Sequence, residues 1–286
     1  MSGYLAITPA RDEEKLLPGL IESMAAQSRL PDCWIVIDDG SADRTPALID
    51  EAARRYPWIE PHHLPRKRVR APGGESVVMR FLPRERWERY AYILRLDADL
   101  TFGADLIDLL LAEFERRRHL GLAGATLYEP SASGRGWREI RSPGFHTRGA
   151  VKMYSRACFS AIGGLEPGLG WDTVDEVRAM MAGFVTRSFT HIRAFHHRPQ
   201  GAAGGHLKAR WAAGRAAYQT GYSPLFMLGR TARQTLKLRP LSGAALLLGY
   251  LWPQFRHSPR VASPEMVRFV RQQQMRRLLM MGSLWR

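Results

Sequence analysis

Trp34-Ile-Val-Ile-Asp-Asp-Gly-Ser41 and Tyr92-Ile-Leu-Arg-Leu-Asp-Ala-Asp99 are the two stretches on which the fold turns. Each is a short apolar run ending in carboxylates, the pattern of a buried strand whose last residues reach solvent. Working outward, Tyr4 to Thr8 reads as a further buried strand, and Leu16, Leu17, Leu20, Ile21 and Met24 then recur at helical spacing up to Gln27. After Ser41 a helix is predicted from Pro46 to Arg55, where proline in the first turn is tolerated. Strand, helix, strand, helix in succession predicts an α/β fold with a mostly parallel, Rossmann-like sheet flanked by helices. In such sheets ligands collect outside the carboxyl ends of the strands, so two strands ending in acids predict one site with two walls. Hard oxygen ligands there suit a divalent cation that bridges protein to phosphate oxygens.

Beyond these strands, residues 61 to 75 read as a loop rich in Pro, Gly and Arg. Within it Arg66-Lys-Arg-Val-Arg70, followed by Gly73-Gly74, could clasp a diphosphate through guanidinium forks and free backbone N–H groups, with Arg70 as the candidate contact. A helix is predicted from Ala104 to Arg118 and a strand from Gly121 to Tyr128, then an extended loop from Ser131 to Thr147. Ala150 to Tyr154 resumes strand character, and a short helix from Arg156 to Ile162 is stopped by Gly163-Gly164. A helix from Asp172 to Ala182 precedes the strand Thr186 to Phe195.

A chain of 286 residues with 45% hydrophobic composition can bury a full core, which excludes a disordered protein and fits one catalytic domain plus an appendage. The net charge of +15 is unevenly placed. Residues 201–286 hold fourteen Lys or Arg against one acid, Glu265, so that 14 − 1 = +13 of the charge lies there. The composition shift at Gly201 to Gly205 therefore predicts a catalytic unit over residues 1–200 and a basic, partly amphipathic helical region over 201–286. Only Cys33 and Cys158 are present, which excludes a disulfide framework and a multi-cysteine zinc site. Charges at Arg11 to Glu14 leave no room for a cleavable leader, so a cytoplasmic protein is expected.

Tyr222 to Leu238 mixes leucines with Arg230, Arg233 and Lys237, and Pro264 to Met281 interleaves apolar residues with four arginines. Between them the uncharged stretch Pro240 to Phe255 reads as an apolar hairpin, shorter than the roughly 20 residues a spanning helix needs. Basic amphipathic segments beside apolar ones suit an anionic membrane surface, so peripheral attachment to the inner leaflet through residues 222–286 is one expectation. A helical subdomain packed on the core, or a dimer interface, is the other, and the sequence leaves the oligomeric state open.

Several groups of residues then fall into order. Taken alone, Asp38, Asp39 and Asp43 are ordinary turn residues. Asp97-Ala-Asp99 is more pointed, because alternation at a strand end puts both carboxylates on one side, about 6.6 Å apart along the chain. Two acids that close repel unless a cation or donor lies between them. Thr8-Pro-Ala-Arg-Asp-Glu13, Ile37-Asp-Asp-Gly-Ser41 with Asp43 and Thr45, Asp97-Ala-Asp99, and Gly170-Trp-Asp172 ahead of Arg178 and Ala182-Gly-Phe184 together resemble the family-2 inverting glycosyltransferases. The likeness covers residues 4 to 200. It implies a GT-A fold, a nucleotide-sugar donor and Mg2+ or Mn2+.

Carried over residue by residue, the resemblance puts Thr8, Ala10, Arg11, Glu13 and Asp39 at the nucleotide. It puts Asp97 on the ribose or metal side and makes Asp99 the direct metal ligand. Asp172, counted back from Ala182-Gly-Phe184, falls where the family keeps its general base. The family's acidic pair reads Glu-Asp, whereas Trp171 precedes Asp172 here, and Asp175 and Glu176 share its helix face, so Asp175 is a rival base. His196, thirteen residues after Gly183, corresponds to a metal-ligating histidine, and Arg148-Gly-Ala150 to a segment near the donor sugar. The Gln-x-x-Arg-Trp motif of processive synthases is missing, with only Lys208-Ala-Arg-Trp211 as an echo, so single-sugar transfer is expected.

A UDP-sugar is the expected donor, since uridine is the commonest base among such relatives, and a glycan or lipid-linked hydroxyl is the expected acceptor. Two other classes compete. Asp97-Ala-Asp-Leu-Thr101 also resembles the nucleophile motif of haloacid-dehalogenase phosphatases, although that motif normally ends the first strand. The aromatic residues among the arginines of the tail could stack single-stranded RNA, but no recognition-module signature accompanies them and a nucleic-acid partner is not expected.

Overall fold

The structure, a computed structural model, describes residues 3–65, 75–131, 135–166, 168, 170–198, 205–236 and 240–285. The chain opens with β1 (Tyr4–Ala10), α1 (Leu17–Ala25), β2 (Cys33–Asp38), α2 (Thr45–Arg55) and β3 (Ile59–His63). Two short helices, α3 (Glu75–Phe81) and α4 (Arg84–Trp87), lead to β4 (Tyr92–Leu96), β5 (Leu100–Phe102) and α5 (Leu106–Arg116). Then come β6 (Leu120–Pro130), β7 (Trp137–Glu139), β8 (Val151–Ser155), α6 (Arg156–Ile162), α7 (Trp171–Met181) and β9 (Val185–His196). Among the described residues, four helices follow: α8 (Gly205–Gln219), α9 (Pro224–Leu236), α10 (Pro240–Phe255) and α11 (Pro264–Leu278).

The strands form one sheet in the order β3-β2-β1-β4-β8-β6-β9-β5, with β7 beside β6. The pairs β1/β2, β1/β4, β2/β3 and β6/β9 are parallel, so six strands run one way and β5, β7 and β8 run against them. Alternation along the strands feeds two cores. Tyr4, Ala6 and Trp34 face α1, α2 and α5 on one side, and Leu5, Ile7, Ile35 and Ile37 face α3, α4 and α6 on the other. Parallel strands covered on both faces read as continuous apolar runs, which is why the two opening stretches were legible as strands. The mostly parallel α/β architecture of GT-A type expected from the sequence is the one observed.

The topology fixes where a ligand collects. From β1 the chain winds outward to β2 and β3, then returns to place β4 on the other side of β1. Such a reversal opens a crevice at the carboxyl ends of the two strands. The residues after β1 are Arg11, Asp12 and Glu13; those after β4 are Asp97, Ala98 and Asp99.

Several expectations need correction. Asp97-Ala98-Asp99 is the tight turn between β4 and β5, not an alternating strand end, so the turn and not the pleat orients the carboxylates. The stretch Ser131 to Thr147 contains β7, an edge strand too short to show periodicity. Residues 61–63, read as loop, complete β3 beside β2. The uncharged stretch read as a hairpin is the single helix α10, with Pro253 inside its last turn. The Arg66 to Gly74 segment, and with it Arg70, lies outside the described residues, as do residues 201–204 of the composition boundary.

Of the C-terminal helices, α11 is seated on α7 of the core. Val174, Val177 and Met180 of α7 form a buried cluster with Met266 and Val270 of α11 and with Trp285, whose ring stacks on Phe145 at 5.2 Å. Among the described residues, no helix is long and apolar enough to cross a membrane.

Candidate active site

The two turns of the crevice are laced together before any ligand is considered. The Asp39 N–H donates to Ala10 O at 2.8 Å, Glu13 N–H to Thr45 Oγ1 at 2.8 Å, and Asp12 N–H to Ser41 Oγ at 3.0 Å. Asp43 Oδ2 accepts from Glu14 N–H at 3.0 Å. Polar residues of the turn after β2 and the start of α2 thus satisfy the backbone donors of Asp12, Glu13 and Glu14 ahead of α1 and hold the two turns together. Thr8 is fully buried, and its hydroxyl accepts from the Trp34 indole N–H at 3.0 Å. Ala10 is buried at the strand end. Asp39 is 8% exposed, and its Oδ1 has no hydrogen-bond partner among the described residues. A buried carboxylate oxygen left in that condition is costly unless a ligand donor meets it. Arg11 lies beside Asp12, with Nε 3.8 Å from Oδ2.

The second wall is charged on both signs. Asp97, Asp99 and His196 each offer a ligating atom within 4.8 Å of the others. His196 Nε2 is 3.1 Å from Asp99 Oδ1, and its Nδ1 is 3.6 Å from Glu129 Oε1. Burial alone would raise the Asp99 carboxyl, but the His196 hydrogen bond and the charges of His196 and Arg198 outweigh it and hold Asp99 below its ordinary value. Burial works against the His196 imidazolium, yet Asp99, Asp97 and Glu129 raise its pKa. Arg198 joins the walls: it is ion-paired to Glu13, and its Nε is 3.8 Å from Asp99 Oδ2. The backbone does the same, with His197 N–H donating to Asp99 O at 3.0 Å.

A cavity of about 140 Å³ opens against this group. Asp97, His196 and Asp172 all line it, together with Glu129, Arg148 and Trp171. Arg95, the residue two before Asp97, is 5% exposed and reaches Asp97 Oδ1 at 2.5 Å. The Trp171 ring covers both Arg95 and Lys152, with the cations 4.9 and 5.1 Å from its centroid. That contact accounts for the aromatic residue found where an acid was expected. It needs Gly149, because a Cβ there would lie 2.6 Å from the indole. Burial depresses the Arg148 guanidinium below its ordinary value, and its Nε donates to Ser142 Oγ at 2.9 Å.

The two candidate bases are separated by the fold. Asp172 sits in the first turn of α7, at the cavity. Asp175, one turn on, is 1% exposed and faces inward: Lys152 Nζ is 2.9 and 3.0 Å from its two oxygens, and the Tyr154 hydroxyl donates to it as well. Glu176 is equally enclosed, accepting from Thr147 N–H at 2.6 Å, from Thr147 Oγ1 at 2.8 Å, and lying 2.9 Å from His146 Nδ1. Lys152 Nζ also donates to Asp172 O at 2.7 Å, which ties the first turn of α7 to β8.

This buried cluster titrates in a definite direction. Burial pushes Asp175 up to about 7, despite the attraction of Lys152. Burial disfavours charged His146, but Glu176 outweighs it and raises its pKa. Glu176, which burial alone would raise, is lowered by His146 and Lys152. With folded values above the unfolded ones, Asp175 and His146 both bind protons more tightly in the native state, so stability falls as pH rises through their range. Glu176 acts oppositely, but only below its ordinary carboxylate range. The melting temperature is therefore expected to decline from about pH 5 to about pH 8. A His146→Gln variant measured in parallel should show a shallower decline.

On this mostly parallel sheet of GT-A type, Asp97, Asp99 and His196 form a group able to hold a cation, and the Asp172 carboxylate lines the cavity beside it. The sequence profile of glycosyl transferase family 2 matches residues 5–164, more than half of the chain. The protein belongs to that family. No curated protein matches it by sequence. In structure it is similar to Staphylococcus aureus TarS (residues 1–349) in complex with UDP-GlcNAc, at 15% identity, TM-score 0.60 and coverage of 97% of this chain and 86% of that one. It is also similar to the mannosyltransferase PcManGT from Pyrobaculum calidifontis in complex with GDP-Man and Mn2+, at 12% identity, TM-score 0.56 and coverage of 93% and 78%. At these identities the likeness concerns the fold. The phosphatase and RNA-binding alternatives are not favoured by it.

Arg95, Glu129 and Lys152 were not singled out from the sequence. Arg95 offered one signal, a charged residue inside an otherwise apolar strand. The others lie on strands whose neighbours come from distant parts of the chain. Lys208-Ala-Arg-Trp211 belongs to α8, where the Trp211 backbone packs against Gly249 of α10.

Proposed function

We propose that the protein is an inverting glycosyltransferase that moves one sugar from a nucleotide-diphosphate sugar to a hydroxyl of a glycan or lipid-linked acceptor. The observation that carries this reading is the convergence of Asp97, His196 and Asp172 on one cavity. Asp172 is the general base: it takes the proton of the acceptor hydroxyl as that oxygen bonds to the anomeric carbon. The bond from that carbon to the diphosphate breaks in the same displacement, its electron pair leaving on the phosphate oxygen, so the sugar centre inverts.

Asp97, Asp99 and His196 would hold a divalent cation. The two carboxylates suit Mg2+ or Mn2+, and the imidazole tilts the set toward a first-row transition ion such as Mn2+. When bound, such an ion offsets the charge developing on the leaving diphosphate. Arg95 positions Asp97 through their ion pair, and Arg198 positions Asp99 and Glu13. The orphaned Asp39 Oδ1 is suited to accept from an N–H of the nucleoside base, with Thr8, Ala10, Arg11 and Glu13 shaping that end of the crevice. Asp175 is a positioning residue, buried beneath the turn that carries Asp172.

Residues 1–200 form the catalytic unit and residues 201–286 a basic appendage, in a cytoplasmic protein that works at the inner face of the membrane. A UDP-sugar is the first donor to test. The fold neighbours leave GDP-sugars as the second, since one of them holds UDP-GlcNAc and the other GDP-Man. Purified protein is expected to be stabilised against heat by UDP or GDP in the presence of Mn2+, and the Asp99→Ala variant to lose that stabilisation while remaining folded. If neither diphosphate nor CMP shifts the wild type with Mn2+ present, the donor-site assignment is wrong.

A further inference from the structure

Helix α10 carries no charged residue, yet it is not a buried helix. Leu241, Leu248, Trp252 and Phe255 are 70%, 56%, 50% and 75% exposed, and with exposed Ala244 they follow one line at helical spacing. At 1.5 Å per residue the line is about 21 Å long. The opposite face is fixed in place. A Cβ at Gly249 would lie 2.2 Å from Trp211 O, and one at Gly214 of α8 would lie 2.1 Å from Leu246 O, so α8 and α10 cross in backbone contact. On α9 the Thr235 hydroxyl and the Thr231 carbonyl lie beside Gly243, 2.4 and 3.3 Å from where a Cβ would stand. The apolar line is thus presented by a rigidly packed helix. The neighbouring helix α9 repeats the pattern with Leu225, Leu228 and Leu236, exposed by 56%, 54% and 83%.

The charges carried by these two helices and the turn that follows α10 are of one sign. Arg230 and Arg233 lie on α9, and Arg256 follows α10 with its guanidinium 5.3 Å from the Trp252 ring centroid. Glu265 is the only acid after residue 200. A second copy of the chain laid on this surface would set arginine against arginine. A surface of anionic headgroups over acyl chains meets both features, because leucine, tryptophan and phenylalanine enter the interfacial layer while arginines stay at headgroup level. Being too short to span, α10 would lie along the surface.

We propose that the exposed faces of α9 and α10 are an interfacial seat that lays the enzyme on an anionic bilayer, where a lipid-linked acceptor can be delivered to the crevice. The proposal deepens the membrane part of the function given above and rests on that reading for the acceptor, whereas binding to the bilayer is independent of transfer.

The test is flotation of the full chain with vesicles of phosphatidylcholine alone or mixed with phosphatidylglycerol, together with Trp fluorescence and the nucleotide-dependent melting shift. The wild type should float with the mixed vesicles, shift its emission to the blue and release as salt is raised. Trp252→Ser with Phe255→Ser should weaken flotation at least about tenfold, as should Leu225→Ser with Leu228→Ser, each with its nucleotide-dependent shift intact. Failure of the folded wild type to float, or flotation of both double variants equal to that of the wild type, would overturn the seat. So would a concentration-dependent rise in mass that either double variant abolishes, which would make the surface an interface between copies. A nucleotide-dependent shift that persists while flotation fails leaves the transferase assignment standing. Flotation without any nucleotide effect removes that assignment and leaves the seat.

Discussion

Asp172→Asn is expected to lower the transfer rate by roughly two to four orders of magnitude, the usual contribution of a positioned general base. Asparagine keeps the size of the side chain and its place in the first turn of α7, so the cavity keeps its shape. What is lost is the capacity to accept the hydroxyl proton during attack. The donor KM should change little, because the nucleotide residues lie on other elements, and the Mn2+-dependent stabilisation by the nucleoside diphosphate should persist. Steady-state kinetics with varied acceptor, alongside melting curves, separate these quantities. Asp175→Asn provides the contrast. Its carboxyl is enclosed by Lys152 and Tyr154, so that substitution should register first as lost stability. A folded Asp175→Asn protein without activity, beside an active Asp172→Asn protein, would exchange the two roles.

Lys152→Met should destabilise the fold by about 3–5 kcal/mol near neutral pH, the usual cost of removing one partner from a buried ion pair. Lys152 has no exposed surface, lies within 3.0 Å of both Asp175 oxygens and is 3.4 Å from Glu176 Oε1. Burial works against its charge, but Asp175, Glu176 and Asp172 raise its pKa above the ordinary value. Methionine fills a similar volume, so the loss is electrostatic and not a cavity. The loss should depend on pH. Without the lysine the Asp175 carboxyl, already pushed up to about 7, rises further. A carboxyl raised in the folded state binds its proton more tightly there than in the unfolded chain, so the variant gains stability on acidification and loses it as pH rises. Denaturant titrations at about pH 5 and about pH 8 should therefore show a smaller deficit at the lower value. Equal deficits would indicate that packing, not charge, governs the site. Because Lys152 also holds the Asp172 carbonyl, transfer should slow in kcat with the donor KM preserved, and Lys152→Arg should restore part of the rate.

The order of elements was written in the chain: short apolar runs ending in acids, separated by helices of period 3.6, admit few arrangements other than an α/β sheet with its ligands at the strand ends. Asp97 and Asp99 could be nominated from their place at the end of a short apolar run, whereas Asp39, Asp172 and His196 were nominated by the resemblance to family-2 glycosyltransferases and not by spacing alone. Elements without periodicity were not legible, such as the three-residue β7 and the alanine-rich α8, whose burial comes from partners and not from pattern. The roles of the acids on α7 lay beyond the sequence for the same reason. Periodicity states that Asp172, Asp175 and Glu176 share a side of their helix, but not what covers that side. The tertiary structure decided it, by bringing Lys152 and Tyr154 from β8 and His146 and Thr147 from the preceding loop against Asp175 and Glu176, and leaving Asp172 at the cavity. Whether a carboxylate is a buried structural charge or an available base depends on the groups that desolvate it, and those come from residues about twenty to thirty positions away in the chain.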